Sequence, residues 1–380
     1  MKKVALSLLA LALVGSMAFG QDAAAPAVKI GGYLDTGIKV YSAADSGTSS
    51  QVVGDDVGGD HASGGSYEFK LSYGTDKAGV NLRTRIEDLA ASPYKIYART
   101  AYAWFLIPNL DIVKVGAGLF GDDGFVGNGL DDEGDKLTNG NGLGVAITPA
   151  AGFTVGATVA QSSATTIVVP AYAAGASFTV PAAATVNAAL LTGHDKDGKI
   201  AASGFNVTAK LLLDGPLSAT AGINFYGLEQ AKNVGTQIYD IVVGYKITDA
   251  FSAQLVAYVY GYGSDIKDVN GDDAKISYKI NPSVSYVVDP VTTVGIGATY
   301  QDGASILGVY DGVKTINGFT PAKNTVAQKI TLIEVKPNVT FTIDPSTKFL
   351  VFYAFDSLSG DYVKTDKTLS TLSLEARYSF

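Results

Sequence analysis

Leu369 to Phe380 reads LSTLSLEARYSF, and its spacing decides the fold. Phe380, Tyr378, Ala376, Leu374 and Leu372 fall on one side of an extended chain. Ser379, Arg377, Glu375 and Ser373 fall on the other. A period of two is the mark of a β-strand whose faces meet different surroundings, one apolar and one aqueous. Chain ends are usually polar and frayed. A terminal strand that closes on an aromatic calls for a partner strand.

The same alternation recurs upstream. In SYEFKLSY, Tyr67, Phe69, Leu71 and Tyr73 oppose Glu68, Lys70 and Ser72; in AGVNLRTRIEDL, Val80, Leu82, Thr84 and Ile86 oppose Asn81, Arg83, Arg85 and Glu87. In YKIYARTAYAWFL, Lys95, Tyr97 and Arg99 oppose Ile96, Ala98, Tyr102 and Trp104; Lys39 lies on the polar side of VKIGGYLDTGIKVY. About sixteen segments of this kind occur, most near the ~9–11 residues of a tilted membrane strand. Short connections with turn chemistry (GTDKA, PNLD, TPAAG, DGPLS, TDA, VDPV, DPSTK) alternate with long polar ones. That rhythm predicts an up-and-down barrel with tight turns at one rim and long loops at the other.

The expected fold is therefore all-β: a transmembrane antiparallel up-and-down barrel of about 16 strands, closed by pairing of its first and last strands. The stretch Thr165 to Gly193 is apolar enough to add a hairpin and raise the count to 18. Pro170 and Pro181 favour reading it instead as part of a long loop over 161–202, because proline disrupts a ladder. A soluble sandwich fits less well. So many strands do not form one open sheet, and cations at mid-strand suit a water-filled lumen.

Composition supports export. Lys2 and Lys3 precede an apolar Val4 to Val14 segment and then Ala18-Phe19-Gly20, so residues 1–20 read as a cleavable signal peptide. Residues 21–380 then form one barrel domain, whose formal charge moves from −8 to −10 with the loss of the two lysines. With no cysteine there is neither a disulfide nor a lipid-anchoring thiol. The acidic balance argues against a nucleic-acid partner, which requires a basic patch. His61 and His194 fall in expected loops, with no spaced partner to make a metal site, and no segment presents Ser and His on one wall for hydrolytic chemistry. No enzyme, metal or cofactor is expected.

With these residues in view, the chain resembles the general porins of Gram-negative-type outer membranes. The resemblance covers nearly the whole mature chain and rests on the leader, the strand and loop order, and the terminus. It implies location in the cell outer membrane and passive diffusion of small hydrophilic solutes and ions. It also implies that Leu372, Leu374, Ala376, Tyr378 and Phe380 form the assembly signal. That signal would be read by the barrel-assembly machinery after transit with periplasmic chaperones. Outer-membrane lipid and small polar solutes complete the partners, with a homotrimer through the barrel wall left open.

In that family the loop after the fifth strand narrows the lumen, setting carboxylates against basic wall residues. Here residues 120–141 follow the fifth segment and carry Asp122, Asp123, Asp131, Asp132, Glu133 and Asp135. The facing wall set is Lys39, Lys70, Arg83, Arg85, Lys95 and Arg99, which holds three of the chain's four arginines. The same loop lying outside the barrel is the other reading. One departure concerns the connection Ala90 to Pro93, which is too short for the subunit-latching loop of the family. A surface adhesin or structural barrel with little conductance is the alternative function.

Overall fold

The computed structural model describes residues 27–44, 47–49, 66–87, 95–120, 141–161, 169–194, 200–211, 215–226, 236–262, 267–268, 276–302, 325–326, 331–359 and 368–380. Twenty-one strands occur among them; three are of two or three residues, and the other eighteen build one wall. In chain order these are β1 (Ala27–Ala44), β2 (Ser66–Gly74), β3 (Ala78–Glu87), β4 (Lys95–Ile107), β5 (Leu110–Leu119), β6 (Asn141–Ala150), β7 (Phe153–Gln161), β8 (Val169–Val180) and β9 (Ala184–His194). They continue as β10 (Ile200–Leu211), β11 (Leu217–Tyr226), β12 (Thr236–Lys246), β13 (Phe251–Tyr262), β14 (Ser277–Val287), β15 (Thr292–Asp302), β16 (Thr331–Thr342), β17 (Thr347–Ser359) and β18 (Thr368–Ser379).

Each strand pairs antiparallel with the next, and β18 returns to β1 from Tyr33↔Ser379 to Ala44↔Leu369. At the seam the Gly32 amide donates to the Phe380 carbonyl at 3.0 Å, and the Phe380 amide donates back to the Gly32 carbonyl at 3.1 Å. Closure leaves no sheet edge to be satisfied by solvent, as hydrocarbon requires. Among the described residues the count is eighteen, the larger number the sequence allows, because Val169 to His194, in the stretch favoured as loop, forms the hairpin β8–β9 with register Ala184↔Val180 to His194↔Val169. Its prolines do no harm. Pro181 sits in the turn, and Pro170 sits at the second position of β8, ahead of the first β7 pair at Ala160↔Ala171. His194, expected in a loop, is the last residue of β9.

The short connections are shaped by their own side chains. Asp289 accepts the amides of Val291 and Thr292, both at 2.8 Å, and these bonds hold its carboxyl below the usual carboxylate range. Asp344 accepts the Ser346 amide at 2.7 Å. Thr75 and Thr248 cap their turns in the same way through Oγ1. Asn109, at φ 66°, makes the left-handed corner between β4 and β5.

The alternation sorts the two faces. Ile30, Leu143, Phe178, Leu190, Ile241, Ile296, Phe349 and Leu374 all point outward and are exposed, from β1 around to β18. An apolar exterior on this scale far exceeds the few hundred Å² usual for a protein in water. It suits hydrocarbon. Outward Phe105, Tyr245, Tyr286 and Phe349 lie near the tight-turn rim and Tyr278 and Tyr300 near the opposite one, the placement of interfacial girdles. The buried set, by contrast, is mainly polar: Asp35, Glu68, Arg85, Thr100, Asn206, Asn224, Asp240 and Ser373. A barrel in lipid is a globular protein turned inside out, and its polar core lies in the lumen.

Trp104 and Tyr102 break the expected alternation. Pairing between β3 and β4 slips by one residue at Arg99, with Thr84↔Ala98 followed by Arg83↔Thr100. The bulge reverses the phase of everything after it. Tyr102 and Trp104, expected outward, therefore face the lumen. There they pack on Phe120 and Ala146, with the Tyr102 and Phe120 rings 5.3 Å apart.

Candidate functional site: the charged lumen wall

Three neighbouring strands assemble the basic sector. On β2, Glu68 and Lys70 share the lumen face; on β3, Arg83 and Arg85 stand directly opposite Lys70 and Glu68; on β4, the bulge turns Arg99 toward the same point. Glu68 is the hub and is fully buried. Its Oε2 lies 2.9 Å from Arg83 Nη2 and 3.9 Å from Arg99 Nη1, and its Oε1 lies 3.2 Å from Lys70 Nζ. One carboxylate thus ties together three cations and stands opposite a fourth. The cluster keeps a strong positive excess, with the guanidinium groups of Arg83 and Arg99 held by the shared carboxylate.

The sequence reading placed Lys70, Arg83, Arg85 and Arg99 on the lumen face, and the structure brings these four together. It missed Glu68 as their centre. The signal was present: Glu68 is the only acidic residue in SYEFKLSY, and it lies two positions from Lys70 on the same face. What could not be read was register, which sets Glu68 against Arg85 rather than against a hydroxyl or glycine. The side chains of Lys39 and Lys95 lie outside the described set. Their backbone positions pair with Ser373 and Glu87. Asp122, Asp123, Asp131, Asp132, Glu133 and Asp135 lie outside the described residues, as do 90–93 and His61.

The described chain does reach the threshold of the acidic segment. Gly118 takes φ 127°, and a Cβ there would meet the Ala101 carbonyl oxygen at 2.3 Å, so only glycine fits the approach. Two residues on, Phe120 is fully buried against lumen-facing Tyr102, Trp104 and Ala146. Gly116 and Gly144 stand beside Trp104 on successive strands, leaving room for the rings to lie along the wall. Lys114 Nζ sits 5.9 Å from the centre of the Trp104 ring.

Carboxylates gather on the other side of the closing seam. Asp35 on β1 accepts from Arg377 on β18 through both Nε, at 3.1 Å, and Nη2. Arg377 also lies 5.3 Å over the Tyr33 ring. Glu375 lies one step along the same face of β18, and Glu334 and Asp356 stand directly opposite each other on β16 and β17. Lys336, beside Glu334, rests its Nζ 3.9 Å over the ring of Phe352.

A third sector is aromatic and amide-rich. Tyr258, Tyr260 and Tyr262 share the lumen face of β13, and the first two are buried with ring centres 6.3 Å apart. Asn206 donates to Asn224 across β10–β11. Asp240 stands opposite Tyr258, whose ring carries Lys279 Nζ at 5.3 Å. Rings already covered in this way are packing elements, not an open stacking track.

The terminal pattern holds. Leu374, Tyr378 and Phe380 are exposed on the outward face, with Leu372 and Ala376 half-buried beside them. Phe380 stacks against Tyr67 and Tyr378 at 6.2 and 6.3 Å.

No family model and no curated protein sequence matches the chain. Solved structures do. The outer membrane protein OprD from Pseudomonas aeruginosa superposes with a TM-score of 0.52 at 12% identity, over 93% of each chain. OccK2 (OpdF) of the same organism gives 0.56 at 10% identity, over 93% of this chain and 97% of that one. Wzi of Escherichia coli, an outer membrane protein involved in group 1 capsule assembly and a carbohydrate-binding β-barrel, gives 0.52 at 10% identity, over 97% and 87%. At such identities the likeness is one of fold: this chain has the architecture of an outer-membrane β-barrel along nearly its full length.

Proposed function

We propose that the protein is a diffusion channel of the outer membrane that passes small hydrophilic solutes and ions. The observation that carries this reading is the closed barrel of opposite faces, apolar toward lipid and lined inside with fixed charge. A lumen of this kind lets polar solutes bypass the hydrocarbon barrier. Its wall charge then sorts them by sign, with no chemical step and no energy source. The barrel fold shared with OprD and OccK2 supports the reading. The leader at residues 1–20 and the outward apolar terminus suit delivery to that membrane by an assembly machinery.

Within the reading, Asp122 to Asp135 form a constriction opposite Arg83, Arg85 and Arg99. Burial of Phe120 inside the lumen, two residues ahead of Asp122, supports an inward course for the segment. The test is a planar-bilayer recording of the refolded mature chain, where large stable current steps are expected. Changing Asp122, Asp123, Asp131 and Asp132 together to Asn should move the reversal potential in a salt gradient toward anions. An unaltered potential would put the segment outside the pore. Absence of steps would favour a binding or structural barrel over a channel.

A further inference from the structure

A hollow in the lumen wall lies across β13 to β16, bordering the carboxylate sector at Glu334 and Lys336, with a volume of about 430 Å³. Its floor is Gly297. A Cβ built there would meet only Ser283 Cβ at 3.8 Å and the Pro282 carbonyl oxygen at 4.0 Å, so the space above it is open. Ladder pairing is interrupted on either side. The β14–β15 pairing jumps from Ile280↔Tyr300 to Ser283↔Gly297, and the β16–β17 pairing jumps from Val335↔Phe355 to Asn338↔Phe352. The gaps coincide with Pro282 and Pro337, which have no amide to donate. Two prolines in interior strands and a glycine between them are costly for a plain wall. The missing side chain at Gly297 gives the recess its depth.

The chemistry of the lining is dominated by neutral hydrogen-bonding groups. Gln254, Asn281, Ser283 and Asn338 face the recess, and Asn281 Oδ1 is buried with no hydrogen-bond partner among the described residues. Two charges of opposite sign stand at its margin. Lys336 lies over the Phe352 ring, and Glu334 accepts the hydroxyl of Thr299 at 3.2 Å. One cation and one carboxylate offset each other in the lining, so net sign favours neither an anion nor an amine. Amides and hydroxyls around a small cavity match alternating donors and acceptors, which is what a sugar hydroxyl offers.

We propose that this hollow is a transit subsite for a neutral polyhydroxylated solute the size of one pyranose ring. The inference rests on the channel reading and gives it a solute class. Such a site must be weak, since a channel that held its solute tightly would not release it.

Saturation-transfer NMR on the full mature barrel refolded in detergent tests this without needing conductance. Glucose is the probe, with glycine and acetate as the zwitterionic and anionic comparisons. Glucose signals should saturate in the millimolar range, while those of glycine and acetate should not. Gly297→Val fills the recess without a clash at Cβ and should abolish the transfer. Asn281→Ala, which leaves the floor untouched, should weaken it roughly five- to tenfold through the loss of one acceptor. No transfer from glucose, equal transfer in both variants, or preference for glycine or acetate would each overturn the inference. A silent bilayer recording alongside intact glucose binding would remove the channel reading and leave the site standing.

Discussion

Alanine in place of Glu68 is expected to destabilise the barrel by about 3 kcal/mol, the low end of the cost of stripping one partner from a buried ion cluster. The carboxylate is fully buried, while Arg83 and Arg99 are 18% and 24% exposed, so both guanidinium groups would lose their counter-charge in a confined space. Lys70, at 53%, can turn to water and adds little. Denaturant unfolding of the refolded barrel checks the value. Glu68→Gln, which keeps the shape and loses only the charge, should fall between wild type and alanine. Pairing Glu68→Ala with Arg83→Ala should recover part of the loss, because the coupled groups are then removed together. Glu68→Ala alone removes a negative charge from the lumen wall and should shift the reversal potential toward anions; the double variant, with no net change in charge, should not. A stability change within about 0.5 kcal/mol would mean that the cluster is solvated and that Glu68 is an ordinary lumen side chain.

Gly32→Val is expected to prevent closure of the wall. A Cβ at this position would lie 2.1 Å from the Glu68 carbonyl oxygen and 2.9 Å from Phe380 Cζ. The first is backbone of β2, so relief requires β1 and β2 to separate. The second is the ring that seals β18 onto β1. Overpacking usually costs about 1–3 kcal/mol, and more where the obstacle is main chain. Here it falls on the residue that bonds in both directions with Phe380. The expected result is loss of the folded, heat-modifiable band on electrophoresis without boiling, with the variant recovered as unfolded chain. Gly31→Ala is the comparison: its Cβ would meet only the Phe380 carbonyl oxygen, at 3.2 Å, and its barrel should form. A normally folded Gly32→Val barrel would mean that the seam has slack.

How much of this was visible in one dimension depends on how far each feature reaches across the wall. The strands were legible because alternation is local and each segment carries it by itself. LSTLSLEARYSF and AGVNLRTRIEDL needed no neighbour to be placed. The hairpin at 169–194 was legible as one of two readings, and the loop was preferred because proline was weighed without knowing its position in the ladder. The true places of Pro170 and Pro181 follow only from register. The slip at Arg99 left no trace either, since moving one residue out of phase turns Tyr102 and Trp104 inward while their spacing stays regular. Arg83 and Arg85 were readable as lumen residues. Their dependence on Glu68, and the recess over Gly297 built from four strands, arise only when separate segments lie side by side.

The ion pair across the seam has a consequence for the order in which the molecule is made. Asp35 and Arg377 stand 342 positions apart in the chain. Every tight hairpin of the wall can form as soon as its own few dozen residues exist, yet β1 must wait for the distant β18 before its second flank is covered. Contacts of such long range are slow to find, although the entropic cost of the loop grows only logarithmically with its length. Until β18 docks, the polypeptide carries a naked, adhesive margin along β1, and that one strand is what silences it.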